Sequence, residues 1–192
     1  MKPRVAILIS GRGSNMVALA QSARDGLLAG HCEIAAVIAS RPGASGLDKA
    51  REMGLNPIAL DAKTLGKEAY ERALLAALQH SRADVVVLAG YMRIVSPRVV
   101  EAYRGRILNI HPADTKLHQG LHGYGWAFES KRPATIITVH LVDDGLDTGP
   151  ILAQREVDLR GADTLAEVER RGLAVEHELY PEALKTFLLN HG

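Results

Sequence analysis

Asn109 and His111 stand two residues apart in Leu108-Asn109-Ile110-His111-Pro112. In an extended strand that spacing turns both side chains to one face. A carboxamide N–H₂ is a neutral donor suited to a developing oxyanion, and an imidazole near neutral pH donates a hydrogen bond or carries a proton. Acyl transfer uses both. Pro112 stops the strand there. A second segment, Asp143-Asp144-Gly145-Leu146-Asp147-Thr148-Gly149-Pro150, holds three aspartates. Asp143 and Asp144 read as solvated turn residues. Asp147 is the candidate partner, because a carboxylate beside the imidazole would fix its tautomer, raise its pKa and accept a proton from an attacking amine. Spacing alone leaves that contact open.

Ser10-Gly11-Arg12-Gly13-Ser14-Asn15 follows the first strand and opens the first helix. Glycines let the backbone approach a ligand, and free N–H groups with the positive end of the helix dipole favour an anion there. A phosphate fits that description. The third glycine of a dinucleotide fingerprint is missing and no Gly-Lys-Ser/Thr is present, which disfavours nicotinamide cofactors and nucleoside triphosphates. The competing explanation is a tight turn with Ser14 or Asn15 as an ordinary N-cap. His140 reads as a core or supporting histidine, and Lys116, His118 and His122 as a polar loop and helix start. Eight histidines without His-Glu-x-x-His or a similarly spaced triad predict no metal.

The elements that must position these groups alternate, short apolar runs with longer amphipathic ones, as in βαβ units around a parallel sheet. Val5–Ile9, Ile34–Ala39, Pro57–Leu60, Val85–Ala89 and Ile107–Ile110 are the expected strands. Their runs of consecutive apolar residues suit strands covered on both faces. Helices are expected after Ser14, Ser45, Lys67 and Ser96, with Pro97 at a first helical position. Thr135–Val142 and Ile151–Leu159 are close enough to pair antiparallel. A final helix starts near Asp163 or Thr164 and runs to about Leu189, with a kink at Pro181. The fold class is therefore α/β, a doubly wound, mostly parallel Rossmann-like sheet with antiparallel C-terminal strands. Residues 1–192 are expected to form one domain, and ligands to bind outside the carboxyl ends of the strands.

Composition sets outer limits. A hydrophobic share of 47% with 23% charged residues suits a soluble globular chain, and no run reaches the ~18 apolar residues of a membrane span. Met1-Lys2-Pro3-Arg4 leads straight into a strand-like run without the pattern of a secretory leader, so the expected compartment is the cytoplasm. Cys32, the single cysteine, forms no internal disulfide and reads as a small buried hydrophobe. A net charge of +1 with mixed signs leaves no footprint for nucleic acid. Monomer and homodimer both remain open.

Four strings, Ser10–Asn15, Ala89-Gly90-Tyr91-Met92-Arg93-Ile94, Asn109-Ile110-His111-Pro112 and Val139–Gly149, lie in order at expected strand ends. Together they resemble the folate-dependent formyltransferases, and among them the glycinamide ribonucleotide formyltransferases, over nearly the whole chain. The resemblance implies transfer of a formyl group from 10-formyltetrahydrofolate to the amine of glycinamide ribonucleotide in purine synthesis. It implies Asn109, His111 and Asp147 as the catalytic trio, with Asn109 and protonated His111 on the formyl oxygen. It further implies that Gly13, Ser14 and Asn15 hold the phosphate and that Glu176 binds the ribose hydroxyls. Met92, Arg93, Ile94 and Val95 would line one wall of the pterin pocket, and Val142, Asp143, Asp144, Gly145 and Leu146 the other. Core packing is the competing explanation for Met92 and Ile94, and a solvated helix charge for Glu176.

The chain departs from the family after Pro112, where Ala113-Asp114-Thr115-Lys116-Leu117-His118-Gln119-Gly120 replaces the usual Ser-Leu-Leu-Pro start of the loop over the substrate. Ile136 stands where glycine is usual, and Leu173 where a polar group often meets phosphate. Arg12 and Lys116 are candidate replacements for that contact. An N-formyltransferase of another amine, such as an amino sugar nucleotide, is the alternative enzyme, and a non-catalytic ligand-binding paralogue the alternative class.

Overall fold

In a computed structural model that describes residues 1–191, the apolar runs pair into one seven-stranded sheet of order β3-β2-β1-β4-β5-β6-β7. The strands are β1 (Arg4–Ile9), β2 (Glu33–Ala39), β3 (Pro57–Ala59), β4 (Val85–Leu88), β5 (Ile107–His111), β6 (Ala134–Leu141) and β7 (Ile151–Asp158). The first five run parallel, while β6 lies antiparallel to both β5 and β7. The helices are α1 (Ser14–Asp25), α2 (Gly46–Glu52), α3 (Ala62–Leu65), α4 (Lys67–His80), α5 (Pro97–Ala102), α6 (Gly123–Glu129) and α7 (Leu165–His191). The expected strands and principal helices are all present, with ends displaced by one or two residues.

Two cores explain why the central strands carry no polar face. Val5, Ile7 and Ile9 turn to one side against Met16, Leu19, Leu184 and Phe187, and Ala6 and Leu8 to the other against Tyr70, Leu74 and Val99. Full burial of each such aliphatic side chain contributes about 1.5–3 kcal/mol. Ser96 caps α5 by accepting from Val99 N–H at 3.4 Å, with Pro97 next to it. Thr164 accepts from Glu167 N–H at 3.2 Å at the start of α7. Pro181 lies inside α7. The preceding Tyr180 is fully buried, and its hydroxyl lies 2.9 Å from the Leu88 carbonyl and 3.0 Å from the Leu108 carbonyl. Thus α7 grips the sheet at the end of β4 and early in β5, immediately before Asn109.

The strand order reverses at β1 and β4, and the chain leaves the carboxyl ends of those strands through residues 10–13 and 89–96. That is the crevice where open sheets of this kind take ligands. Ser10 ties the two segments together. Its amide donates to the Gly90 carbonyl at 3.1 Å, and its hydroxyl accepts from Met92 N–H at 2.9 Å.

Candidate active site

Antiparallel pairing sets Asn109 opposite His140 and His111 opposite Thr138. Opposed residues share a face, so four polar side chains crowd the end of β5. Asp147 arrives from the connection between β6 and β7, whose ends are pinned by Leu141 N–H donating to the Pro150 carbonyl at 2.9 Å. It holds φ of 53°, in the left-handed region that aspartate tolerates better than most residues. Its carboxylate thereby faces inward. Asp147 Oδ2 lies 3.6 Å from His111 Nδ1, and Oδ1 lies 3.4 Å from both His140 Nε2 and Asn109 Nδ2. Asn109, His111 and Asp147 are therefore brought together, and His140 stands inside the cluster rather than behind it.

The segment after Pro112 closes over these groups with main-chain contacts. His111 Nε2–H donates to the His118 carbonyl at 2.9 Å, and Gly120 N–H donates to Asp147 Oδ2 at 2.8 Å. A carbonyl only accepts, so neutral His111 carries its hydrogen on Nε2 and leaves Nδ1 bare toward Asp147. By the same reasoning His140 Nδ1–H donates to the Leu141 carbonyl at 2.8 Å, and its Nε2 accepts from Asn109 Nδ2 at 3.2 Å. The His118 ring stacks on Trp126 at 5.0 Å, and the Arg132 guanidinium lies over the other ring system at 5.1 Å. The segment is thus held at His118 and Gly120.

Charge in the cluster differs from the sequence expectation in one respect. Burial disfavours the imidazolium of His111, which is 3% exposed, and outweighs the pull of Asp147, so its pKa lies below the ordinary 6.5. Asp147 pulls that pKa upward, as expected, but desolvation is the larger effect, so the imidazole is not held protonated in the resting site. For Asp147, burial works against the charge. The close approach of His140, the hydrogen bond from Gly120 N–H and the nearby His111 together prevail, holding its carboxyl below 3.8.

At the other half of the crevice, Gly13 takes φ of 69° and ψ of 34°, and no side chain caps α1. The reading of Ser14 or Asn15 as the N-cap is overturned, because the αL glycine makes the turn and leaves the first N–H groups of α1 free of side-chain acceptors. Gly46 backs this loop and donates N–H to the Gly11 carbonyl at 3.0 Å. Arg12 is exposed and makes no salt bridge with any described residue. Asn15 is buried, and its Nδ2 donates to Glu176 Oε2. Glu176 is not a solvated helix charge: it is 4% exposed, and Oε1 accepts from the Tyr124 hydroxyl. Burial raises its pKa while the two donors pull it back.

Met92 and Ile94 are 63% and 85% exposed, which removes core packing as their explanation. Val95 points the other way, into the core beneath α4, and Arg93 lies over the Tyr70 ring at 4.9 Å. A cleft of about 410 Å³ opens on that side, lined by Tyr70, Tyr91, Met92, Arg93 and Ile94. Leu146 is exposed and Val142 half-buried. Asp143 is a turn residue, its Oδ1 accepting from Gly145 N–H at 3.0 Å and from the Thr148 hydroxyl at 2.6 Å. Asp144 is exposed, with Arg104 at 3.5 Å. Among the described residues, no group of three His, Cys, Asp or Glu side chains is placed to hold a metal ion, and no helix is long and apolar enough to cross a membrane.

Sequence reasoning read His140 as a supporting histidine that the shared sheet could bring near His111, and missed the roles of His118, Gly120 and Tyr124. Antiparallel pairing of β5 with β6 was the available signal for His140. Main-chain contacts from the rewritten segment leave no side-chain pattern to read.

A doubly wound sheet with an open helix start and a polar cluster at its strand ends is the build of an α/β transferase. Residues 3–184 match the formyl transferase family, and the chain belongs to it. It is 37% identical over 184 residues to the trifunctional purine biosynthetic protein adenosine-3 of Drosophila melanogaster, covering 95% of this chain and 14% of the fly protein. With the phosphoribosylglycinamide formyltransferase of Escherichia coli it shares 36% identity, over 95% of this chain and 86% of that one. The crystal structure of phosphoribosylglycinamide formyltransferase from Bacillus halodurans superposes with a TM-score of 0.90 at 44% identity, over 96% of this chain and 95% of that one.

Proposed function

We propose that this protein transfers the formyl group of 10-formyltetrahydrofolate to the amine of glycinamide ribonucleotide, in the cytoplasm and without a metal. The observation that carries the reading is the convergence of Asn109, His111 and Asp147 at the end of β5, across the crevice from the uncapped start of α1. The folate supplies the formyl group. Exposed Met92, Ile94 and Leu146 fit an apolar ring system and the p-aminobenzoyl arm, and the backbone of residues 92–95 and 142–146 can read the ring edge.

The protein's own groups then divide the work. His111 Nε2–H, which the His118 carbonyl holds in the closed segment, turns to the formyl oxygen when that segment yields it. Asn109 Nδ2 supplies a second donor to the same oxygen. Because burial keeps His111 neutral, the resting donor is the imidazole N–H. Asp147, held ionised, accepts the proton of the attacking amine directly or through water and returns it to the folate nitrogen as the bond from that nitrogen to the formyl carbon breaks and tetrahydrofolate leaves. Gly13, Ser14 and Asn15 take the phosphate at the start of α1, with Arg12 at the rim, and Glu176 lies next to them for the ribose hydroxyls.

Turnover measured with 10-formyltetrahydrofolate and glycinamide ribonucleotide, with an amino sugar nucleotide run alongside, tests the reading. Formylation of the ribonucleotide is the expected result. Binding of both substrates without transfer, or transfer to the amino sugar alone, overturns it.

A further inference from the structure

Gly172 is a notch in α7. A Cβ at this position would lie 2.1 Å from Tyr124 Cε1 and 2.4 Å from its hydroxyl oxygen, so only the missing side chain lets the Tyr124 ring enter. Glu176 follows four residues later on the same helix, which places it on the same face. The notch therefore aims the Tyr124 hydroxyl at Glu176 Oε1. The second oxygen, Oε2, holds Asn15 Nδ2. Three elements far apart in sequence, α6, α7 and the start of α1, meet at this one buried carboxylate.

Glu176 has no Lys or Arg among its hydrogen-bond partners, only two neutral donors. A buried carboxylate in that position depends on both, because loss of either leaves an oxygen unpaired in a low-dielectric interior. Asn15 has no other side-chain hydrogen bond, and its Oδ1 is buried without a partner. Its orientation is thus set by Glu176 alone, and that of Glu176 in part by Tyr124.

We infer that Tyr124 is a positioning residue for the ribonucleotide half of the site, acting through Glu176 to orient Asn15 beside the anion seat at the start of α1. This rests on the proposed reading that residues 13–15 take the phosphate. Tyr124 also follows directly on the segment that closes over His111 and Asp147, so one stretch of chain, residues 113–124, touches both halves of the crevice.

Tyr124→Phe in the full chain removes the hydroxyl and keeps the ring. It is expected to raise the ribonucleotide KM by about tenfold, with kcat and the folate KM moving by no more than about threefold. Gly172→Ala closes the notch and displaces the ring while leaving the hydroxyl in place chemically; the same selective rise in the ribonucleotide KM is expected. Calorimetric binding of ribose 5-phosphate gives a readout that needs no turnover, and the Tyr124→Phe variant should bind it about tenfold more weakly while a folate analogue binds as before. An unchanged ribonucleotide KM and ribose 5-phosphate affinity overturn the inference, and so does an equal loss toward folate and ribonucleotide, which would mark general loosening. If the unsubstituted protein binds ribose 5-phosphate but does not formylate the ribonucleotide, the proposed function fails while the binding comparison still decides the role of Tyr124.

Discussion

Replacing Asp147 by asparagine separates chemistry from architecture at this site. The carboxylate makes four approaches: Gly120 N–H at 2.8 Å on Oδ2, His111 Nδ1 at 3.6 Å on the same oxygen, and Asn109 Nδ2 and His140 Nε2 at 3.4 Å on Oδ1. An asparagine that keeps its oxygen toward Gly120 presents its N–H₂ where Oδ1 was. His140 Nε2 is an acceptor in the tautomer set by the Leu141 carbonyl, so the new amide finds a partner there. Only the long contact from Asn109 is lost, a cost of about 1 kcal/mol in folding, or roughly 2–4 °C in Tm. Proton acceptance is a different matter, because a carboxamide is not a base in water. Its loss is expected to lower kcat by about 10²–10⁴-fold, equivalent to about 2.7–5.4 kcal/mol of barrier. Steady-state turnover, folate-analogue affinity and a thermal melt on the same preparation provide the comparison. A variant that melts near the parent yet turns over within about tenfold of it would refute proton transfer to Asp147. Matching losses in folate affinity and turnover would instead assign the residue to ligand binding.

Burial lowers the pKa of both His111 and His177, so the fold favours their neutral forms. A group of this kind stabilises the fold in full above its unfolded pKa near 6.5 and loses that contribution as pH falls through the depressed folded value. Tm should therefore drop as pH is lowered below about 6.5, and His111→Asn should flatten part of the drop; equal pH dependence in variant and parent would contradict it. Tyr180→Phe removes the hydroxyl that bridges the Leu88 and Leu108 carbonyls, and a loss of about 1–3 kcal/mol is expected in denaturant unfolding, with an unchanged midpoint as the contrary result. Gly46→Ala places a Cβ 2.6 Å from Ile9 Cδ1 and 3.0 Å from the Gly11 carbonyl, which must shift the loop that carries Gly13. The ribonucleotide KM should rise more than the folate KM, and equal kinetics would show that the loop absorbs the methyl group.

What could be read from residues alone divides by range along the chain. β1, β2 and β4 announce themselves because parallel strands buried on both faces need no polar positions, and Val85-Val86-Val87-Leu88 has none. The four-residue helix Ala62–Leu65 is too short to show a period, and only Asp61, which accepts from Lys63 and Thr64 N–H, marks it. His140 belongs to the cluster through the register of β5 against β6, which no local pattern encodes. Tyr124 and Glu176 meet only because Gly172 leaves room, a contact across 52 residues with no motif.

The rewritten segment shows why a departure in sequence need not be a departure in chemistry. His118 and Gly120 meet the imidazole and the carboxylate through a carbonyl and an N–H, groups that almost any residue supplies. What the side chains of this stretch must do is place those two groups, and here the stack of His118 on Trp126 and the seating of Tyr124 against α7 do so. Substitutions in residues 113–120 can therefore accumulate while the backbone path is kept. On this reasoning the identity of the acceptor amine is governed less by the loop's own sequence than by the groups it closes against: the start of α1, Glu176 and the end of β5.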